Sequence, residues 1–233
     1  MHNELQVAVK DATATLAKHT GAGATEAMLI PPDLLAQCRG IAVLWSYNAG
    51  LGISITGGTG LLIAKRPGTE EWGLPVGLGI GGIGIGLQIG MSSDYQIIVL
   101  NSDSAVTTMC KDNIKYAAAL NVAAGPHGRN FEGAEHKATE GSEDISAFTY
   151  GFSEGIFAGA SLKAAFISQQ DKWNAEAYGL STATPVYGKT GDECTTQAVD
   201  MVQGHALDGK LPTEAMLELQ EALHAASLPL GAA

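Results

Sequence analysis

Gly77-Leu78-Gly79-Ile80-Gly81-Gly82-Ile83-Gly84-Ile85-Gly86-Leu87 alternates glycine with a large aliphatic residue. A repeat of two belongs to a strand, whose successive side chains point to opposite faces, and not to a helix with its repeat of 3.6. One face of such a strand is nearly bare backbone, so a helix or a second sheet segment has to lie close against it. The alternation slips once, at Gly81-Gly82, which predicts a bulge or corner in a strongly curved sheet.

The same glycines settle whether the surrounding chain crosses a bilayer as a helix. Between Arg39 and Lys65 lie 25 residues without formal charge, and between Glu71 and Asp94 another 22, each long enough for a membrane helix. Eight of those 22 are glycine, and the period is two, so both stretches read as sheet. Residues 41–47, 51–56 and 60–65 form a meander punctuated by Asn48-Ala49-Gly50 and Gly57-Gly58, and Arg66-Pro67-Gly68 closes it.

Further out, 95–100 is another strand, and Asn101-Ser102-Asp103-Ser104 caps a helix through Cys110. Sheet resumes at 145–150 and 155–167, beyond the polar loop 132–144. Helices stand at the two ends. Leu5, Val9, Ala12 and Leu16 follow an Asn3 cap with Gln6 three positions on, Pro31-Pro32-Asp33 opens a short helix ending at Gly40, and Pro212-Thr213 opens a last one striped with Met216, Leu219 and Leu223. The expected class is α+β: a strongly curved, mainly antiparallel, Gly-rich β-sheet, barrel-like in its curvature, with N- and C-terminal helices packed over it.

Thirteen Lys plus Arg against 24 Asp plus Glu give a net charge of −11, which excludes a generic nucleic-acid binder. Residues 1–129 hold 8 basic and 9 acidic side chains and 130–233 hold 5 and 15, so a surface for an anionic partner belongs to the first half. Cys38, Cys110 and Cys194 are odd in number and far apart, offering neither a disulfide framework nor a metal knuckle. No basic-then-apolar leader, myristoylation glycine or prenylation box is present. The expectation is a cytoplasmic protein with no cofactor.

Several patterns could carry chemistry. Gly79-Ile80-Gly81-Gly82-Ile83-Gly84 satisfies the dinucleotide fingerprint G-x-G-x-x-G, but the alternation runs on to Ile89 instead of opening a helix. Gly188-Lys189-Thr190 matches the end of a phosphate loop whose leading glycine is replaced by Ala183. Gly151-Phe152-Ser153-Glu154-Gly155 is a literal nucleophile elbow, followed by Asp171, Asp192, His205 and His224 in hydrolase order. Too little chain follows for the rest of such a fold, so a hydrolase centred on Ser153 ranks below a serine in a turn. The histidines lack metal-ligand spacing. Lys65-Arg66 at a tight turn near Trp72 could hold a phosphorylated headgroup, with the indole at the interface.

Ile30-Pro31-Pro32, Arg39-Gly40-Ile41-Ala42, Gly57-Gly58-Thr59-Gly60-Leu61-Leu62-Ile63-Ala64-Lys65, the segment 72–75 and Gln88-Ile89-Gly90 resemble the first half of a SYLF domain. Gly125-Pro126-His127-Gly128-Arg129 resembles that family's Gly-Pro-x-Gly-Arg segment, and Tyr150 with Gly155-Ile156-Phe157-Ala158-Gly159-Ala160-Ser161-Leu162 resembles its Gly-Leu-Phe-Ala-Gly-x-Ser-Leu segment. Asn174 and Tyr178-Gly179 follow at matching spacing. The resemblance spans about 5–188 and implies a SYLF-like lipid-binding domain over 1–190, with a C-terminal helical extension over 191–233.

It also implies a function: a non-enzymatic module that binds phosphoinositide-containing membranes peripherally and reversibly, or, as in fungal members, actin filaments. The expected lipid-binding residues are Lys10, Lys18, Arg39, Lys65, Arg66 and Arg129, with the first helix inserting Leu5, Val9 and Leu16 shallowly. Phe152 and Glu154 stand where many members carry basic residues. Each such loss near a membrane removes on the order of 1 kcal/mol of attraction. The zinc-coordinating and Src-homology modules often attached to SYLF domains are not seen, so an isolated domain is expected.

Overall fold

A computed structural model describes residues 4–20, 29–66, 68–110, 114–116, 120–123, 129–135, 147–178 and 213–228. Along the chain, α1 (Glu4–Thr20) and α2 (Pro32–Gln37) precede two 25-residue strands, β1 (Gly40–Ala64) and β2 (Val76–Leu100). Then come α3 (Asp103–Met109), the short strands β3 (Ile114–Tyr116), β4 (Leu120–Ala123) and β5 (Arg129–Glu135), the long β6 (Ala147–Gln169), α4 (Asp171–Tyr178) and α5 (Glu214–Ala226). All the strand pairs are antiparallel: β1 on β2, β2 on β6, and β3, β4 and β5 in succession along the far edge of β6.

The α+β class stands, but the sheet curls without closing into a barrel. The meander is corrected. Residues 40–64 are one strand, and Asn48-Ala49-Gly50 and Gly57-Gly58 are not turns. Asn48 lies inside the strand because its side chain donates to Asp94 and to Ser92 Oγ (3.4 Å) and accepts from Thr56. The bend comes at Leu51-Gly52, where Gly52 has φ +74° and the β1–β2 register shifts.

Fully extended, 25 residues at about 3.3 Å each would span about 80 Å, so the strand has to fold back. Past the bend its second half returns beside the first. A Cβ at Gly50 would lie 2.5 Å from Ile53 O, and one at Gly58 would lie 2.6 Å from Ser46 Cα. Lys65 N donates to Arg39 O where the two ends meet, at 2.8 Å.

The bare glycine face is covered at Gly77 and Gly79 and is open at Gly81, where nothing lies within 4 Å of a Cβ position. Gln170 and α4 lie over Gly77 and Gly79: Asn174 Oδ1 accepts from Gly77 N at 2.7 Å, Gln170 N donates to Gly77 O at 2.8 Å, and Tyr178 Oη donates to Pro75 O. A Cβ at Gly77 would meet the Trp173 ring at 3.2 Å. Burial pushes the Tyr178 hydroxyl pKa well up.

Helix α1 joins the core through Leu5, Val9, Ala12 and Leu16, together with Met216, Leu219 and Leu223 of α5. Ser102 caps α3 as expected, its Oγ accepting from Ala105 N at 3.0 Å. The interruption expected between 150 and 155 is absent, β6 being continuous, and part of the loop expected at 132–144 is β5.

His19 is fully buried at the end of α1, and its Nδ1–H donates to Thr15 O at 2.9 Å. Burial lowers its pKa, assisted by Lys18 and opposed by the Thr15 carbonyl. The unfolded chain therefore takes a proton at about pH 6.5 that the folded chain refuses, and stability falls as the pH drops through that value. The melting temperature should decline between about pH 7.5 and 5.5 more steeply than in His19→Gln. Parallel profiles would contradict this.

Candidate functional site

Three of the six expected lipid-binding cations meet around the turn after β1. Arg39 Nε lies 2.9 Å from Asp103 Oδ1, and its guanidinium also donates to Arg66 O (3.3 Å) and Thr69 O (3.4 Å). Lys65 is only 5% exposed. Its ammonium donates to Ala36 O and Glu70 Oε2, both at 2.6 Å, and sits 5.7 Å from the Trp72 ring centroid. Arg66 Nη1 is 3.3 Å from Glu71 Oε2. The Lys65 hydrogen bond, then its charge, holds the Glu70 carboxyl below the usual carboxylate range.

Three cations thus face three carboxylates, and the cluster ties the end of α2, both ends of β1 and the start of α3 together. Its local charge is balanced, and the Arg66–Glu71 pair, exposed on both sides, contributes little to stability by itself.

The remaining three lie elsewhere. Lys10 and Lys18 are exposed on α1, with the Lys18 ammonium 5.8 Å from the Tyr95 ring centroid. Arg129 opens β5 opposite Ser153. The apolar stripe expected to insert into lipid is not available for it: Leu5, Val9 and Leu16 are at most 1% exposed. That stripe is core because it packs with Met216, Leu219 and Leu223 of α5 and with the buried aliphatic residues of β1 and β2.

The G-x-S-x-G pattern lies within β6, between β2 and β5, with Ser153 paired to Asp94 and Arg129. A nucleophile elbow needs a sharp strand-to-helix turn, and a mid-strand serine has none. His224 is exposed on α5; Asp192 and His205 lie outside the described residues. Among the described residues no three His, Cys, Asp or Glu side chains gather as a metal site, and no helix is long and apolar enough to cross a membrane. The dinucleotide fingerprint runs through the middle of β2 and opens no helix.

The feature that sequence reasoning missed is the outer surface of the bent strands. Tyr47, Leu51, Ile89 and Met91 are exposed on the limb before the bend, and Ile53, Ile55, Ile83 and Ile85 on the limb after it, all between 59% and 77%. They oppose one another in register as Leu51↔Ile89, Ile53↔Ile85 and Ile55↔Ile83. The alternate residues Ser46, Asn48, Ser54, Thr56 and Ser92 are buried, so the ribbon is polar inside and apolar outside.

The parity slip at Gly81-Gly82 carried this signal. No register shift occurs there, so the slip moves the aliphatic residues from one face of an unbroken strand to the other. Leu78 and Ile80 are buried in the core, while Ile83 and Ile85 are exposed.

Comparison with known proteins finds relatives of this sequence. A family model described as "Ysc84: Las17-binding protein actin regulator" matches residues 81–226. SH3 domain-containing YSC84-like protein 1 of Xenopus laevis is 36% identical over 152 residues, 65% of this chain and 44% of its own. The human protein of that name is 36% identical over 151 residues, 64% of this chain and 43% of its own. Protein YSC84 of Saccharomyces cerevisiae is 30% identical over 173 residues, 73% of this chain and 34% of its own. The chain therefore spans less than half the length of these relatives.

Proposed function

The chain belongs to the Ysc84 (SYLF) family, and from that premise we propose that it is a non-enzymatic binding module acting as an actin-filament-binding scaffold domain. The observation that carries the reading is the family match over 81–226, whose description names a Las17-binding actin regulator. That segment begins at the parity slip and takes in most of β2, all of β6 and the helix α5 that completes the core. None of these relatives bears the name of an enzyme, and Ser153 lies in mid-strand rather than at an elbow.

The test is incubation with purified actin filaments followed by centrifugation at low and high speed. Recovery with filaments at high speed supports binding, and recovery of bundles at low speed supports cross-linking. A chain left in the supernatant at filament excess overturns the reading.

A second reading, peripheral recognition of phosphoinositide headgroups, draws on the exposed Lys10 and Lys18 of α1. Arg39, Lys65 and Arg66 contribute less to it, since each already faces a carboxylate. Attraction by these lysines should be weakened by salt and by Lys10→Glu with Lys18→Glu, in flotation with phosphoinositide vesicles. Flotation unaffected by the charge reversal removes them from the account.

A further inference from the structure

We propose that the bent tip of β1 and β2 is a membrane-penetrating wedge, which enters the hydrocarbon of one leaflet without needing a particular headgroup. This goes beyond both readings above, because neither filaments nor phosphoinositides are involved in it.

The first support is the inverted pattern. The two limbs share a polar layer in which Thr56 donates to Asn48 and Asn48 donates to Asp94 and Ser92. Their aliphatic faces point away from that layer, to both sides of the tip. Polar-in and apolar-out is the arrangement of strands in lipid.

The second support is charge. Neither 40–64 nor 72–93 holds a charged residue, and the β6 positions in register with Met91, Ile89, Ile85 and Ile83, which are Ile156, Ala158, Leu162 and Ala164, are uncharged as well, charge returning at Glu154 opposite Ser93. Charge begins at the base. Trp45 and Tyr47 share a face with Tyr95, over which Lys18 sits. Aromatic rings with a lysine behind them are suited to the boundary between hydrocarbon and headgroups, with the cation meeting lipid phosphate.

The third support is size. From Tyr47 to Leu51 at the tip the strand advances about 13 Å, close to the about 15 Å of hydrocarbon in one leaflet. Along the tip β2 is paired with β6 without a break, which satisfies that strand's backbone groups on one side. A second copy of the chain fits less well. Four aliphatic or aromatic side chains on one limb hide roughly 400 Å², about half of the roughly 800 Å² per partner in a standard interface. The other limb would stay in water.

The test is flotation with pure phosphatidylcholine vesicles at about 0.15 M and about 1 M salt. The chain should float at both, and Ile53→Asp with Ile85→Asp should lower its partition coefficient at least tenfold at an unchanged melting temperature. Leu217→Asp, an exposed apolar site on α5, should float like the wild type. If the aspartate pair impairs folding, Leu51→Ser with Met91→Ser on the other limb replaces it, with a loss of several-fold expected. Wild type that stays off the vesicles, or folded tip variants that float like it, overturns the proposal. So does a wild type off the vesicles that light scattering finds dimeric and the tip variants make monomeric, which assigns the face to a second copy. Filament binding is read separately and survives any of these results.

Discussion

Gly60→Val should lose about 3 kcal/mol or more of folding stability, enough to leave little soluble native protein. An ideal Cβ at Gly60 would lie 2.6 Å from Leu44 Cδ2 and 2.9 Å from Leu44 Cα, and closer still to the carbonyl oxygen of Val43. Two of those three atoms are backbone, so rotamer changes cannot make room and the halves of β1 have to separate. Gly57, three residues earlier, has nothing within 4 Å of its Cβ position. Gly57→Val should therefore be neutral or slightly stabilising, because a branched residue suits an exposed strand better than glycine does. Urea unfolding of the two variants checks the pair. Equal midpoints would mean that the halves of β1 are not in contact.

Removal of residues 1–20 should abolish cooperative unfolding. Leu5, Val9 and Leu16 are each essentially fully buried, and at about 1.5–3 kcal/mol apiece their loss rivals the total stability of an ordinary domain, about 5–15 kcal/mol. The deletion would also uncover Met216, Leu219 and Leu223 of α5, which share that core. Calorimetry of the truncated chain should show no sharp transition. A truncated protein that melts cooperatively near the wild-type temperature would show that α1 is an appendage, and would return Leu5, Val9 and Leu16 to the surface as an insertion stripe. Truncation is thus a poor probe of binding; the exposed Lys10 and Lys18 can be reversed in charge without disturbing the stripe.

The elements set by local chemistry were legible in the sequence. The Ser102 cap, the proline-led α2 and the 3.6-spaced stripes of α1 and α5 appear close to their expected positions, since capping and amphipathicity act within a few residues. The requirement that a bare glycine face be covered was legible too, although the covering helix α4 was not. Its mean hydropathic pattern is weak, and its fit depends on Asn174 reaching Gly77, 97 residues away.

The continuity of β1 was hidden for a related reason. Asn48-Ala49-Gly50 has turn composition, yet Asn48 is held in the strand by Asp94 and Ser92, 46 and 44 residues distant. The exposed apolar face of the bent strands was legible only in the broken parity at Gly81-Gly82. A bulge and a change of buried face leave the same mark in sequence, and only the unbroken register tells them apart. The Lys65-Arg66 pair shows the converse: two adjacent cations beside a tryptophan suggested an anion site, whereas Glu70 and Glu71 already face them.

The most direct test of the functional account is a filament titration, in which a fixed amount of the chain is centrifuged at high speed with increasing polymerised actin. The account predicts a pelleted fraction that rises to a plateau and is unchanged in Ser153→Ala. A pelleted fraction that stays at the level of the filament-free control throughout the titration would contradict it.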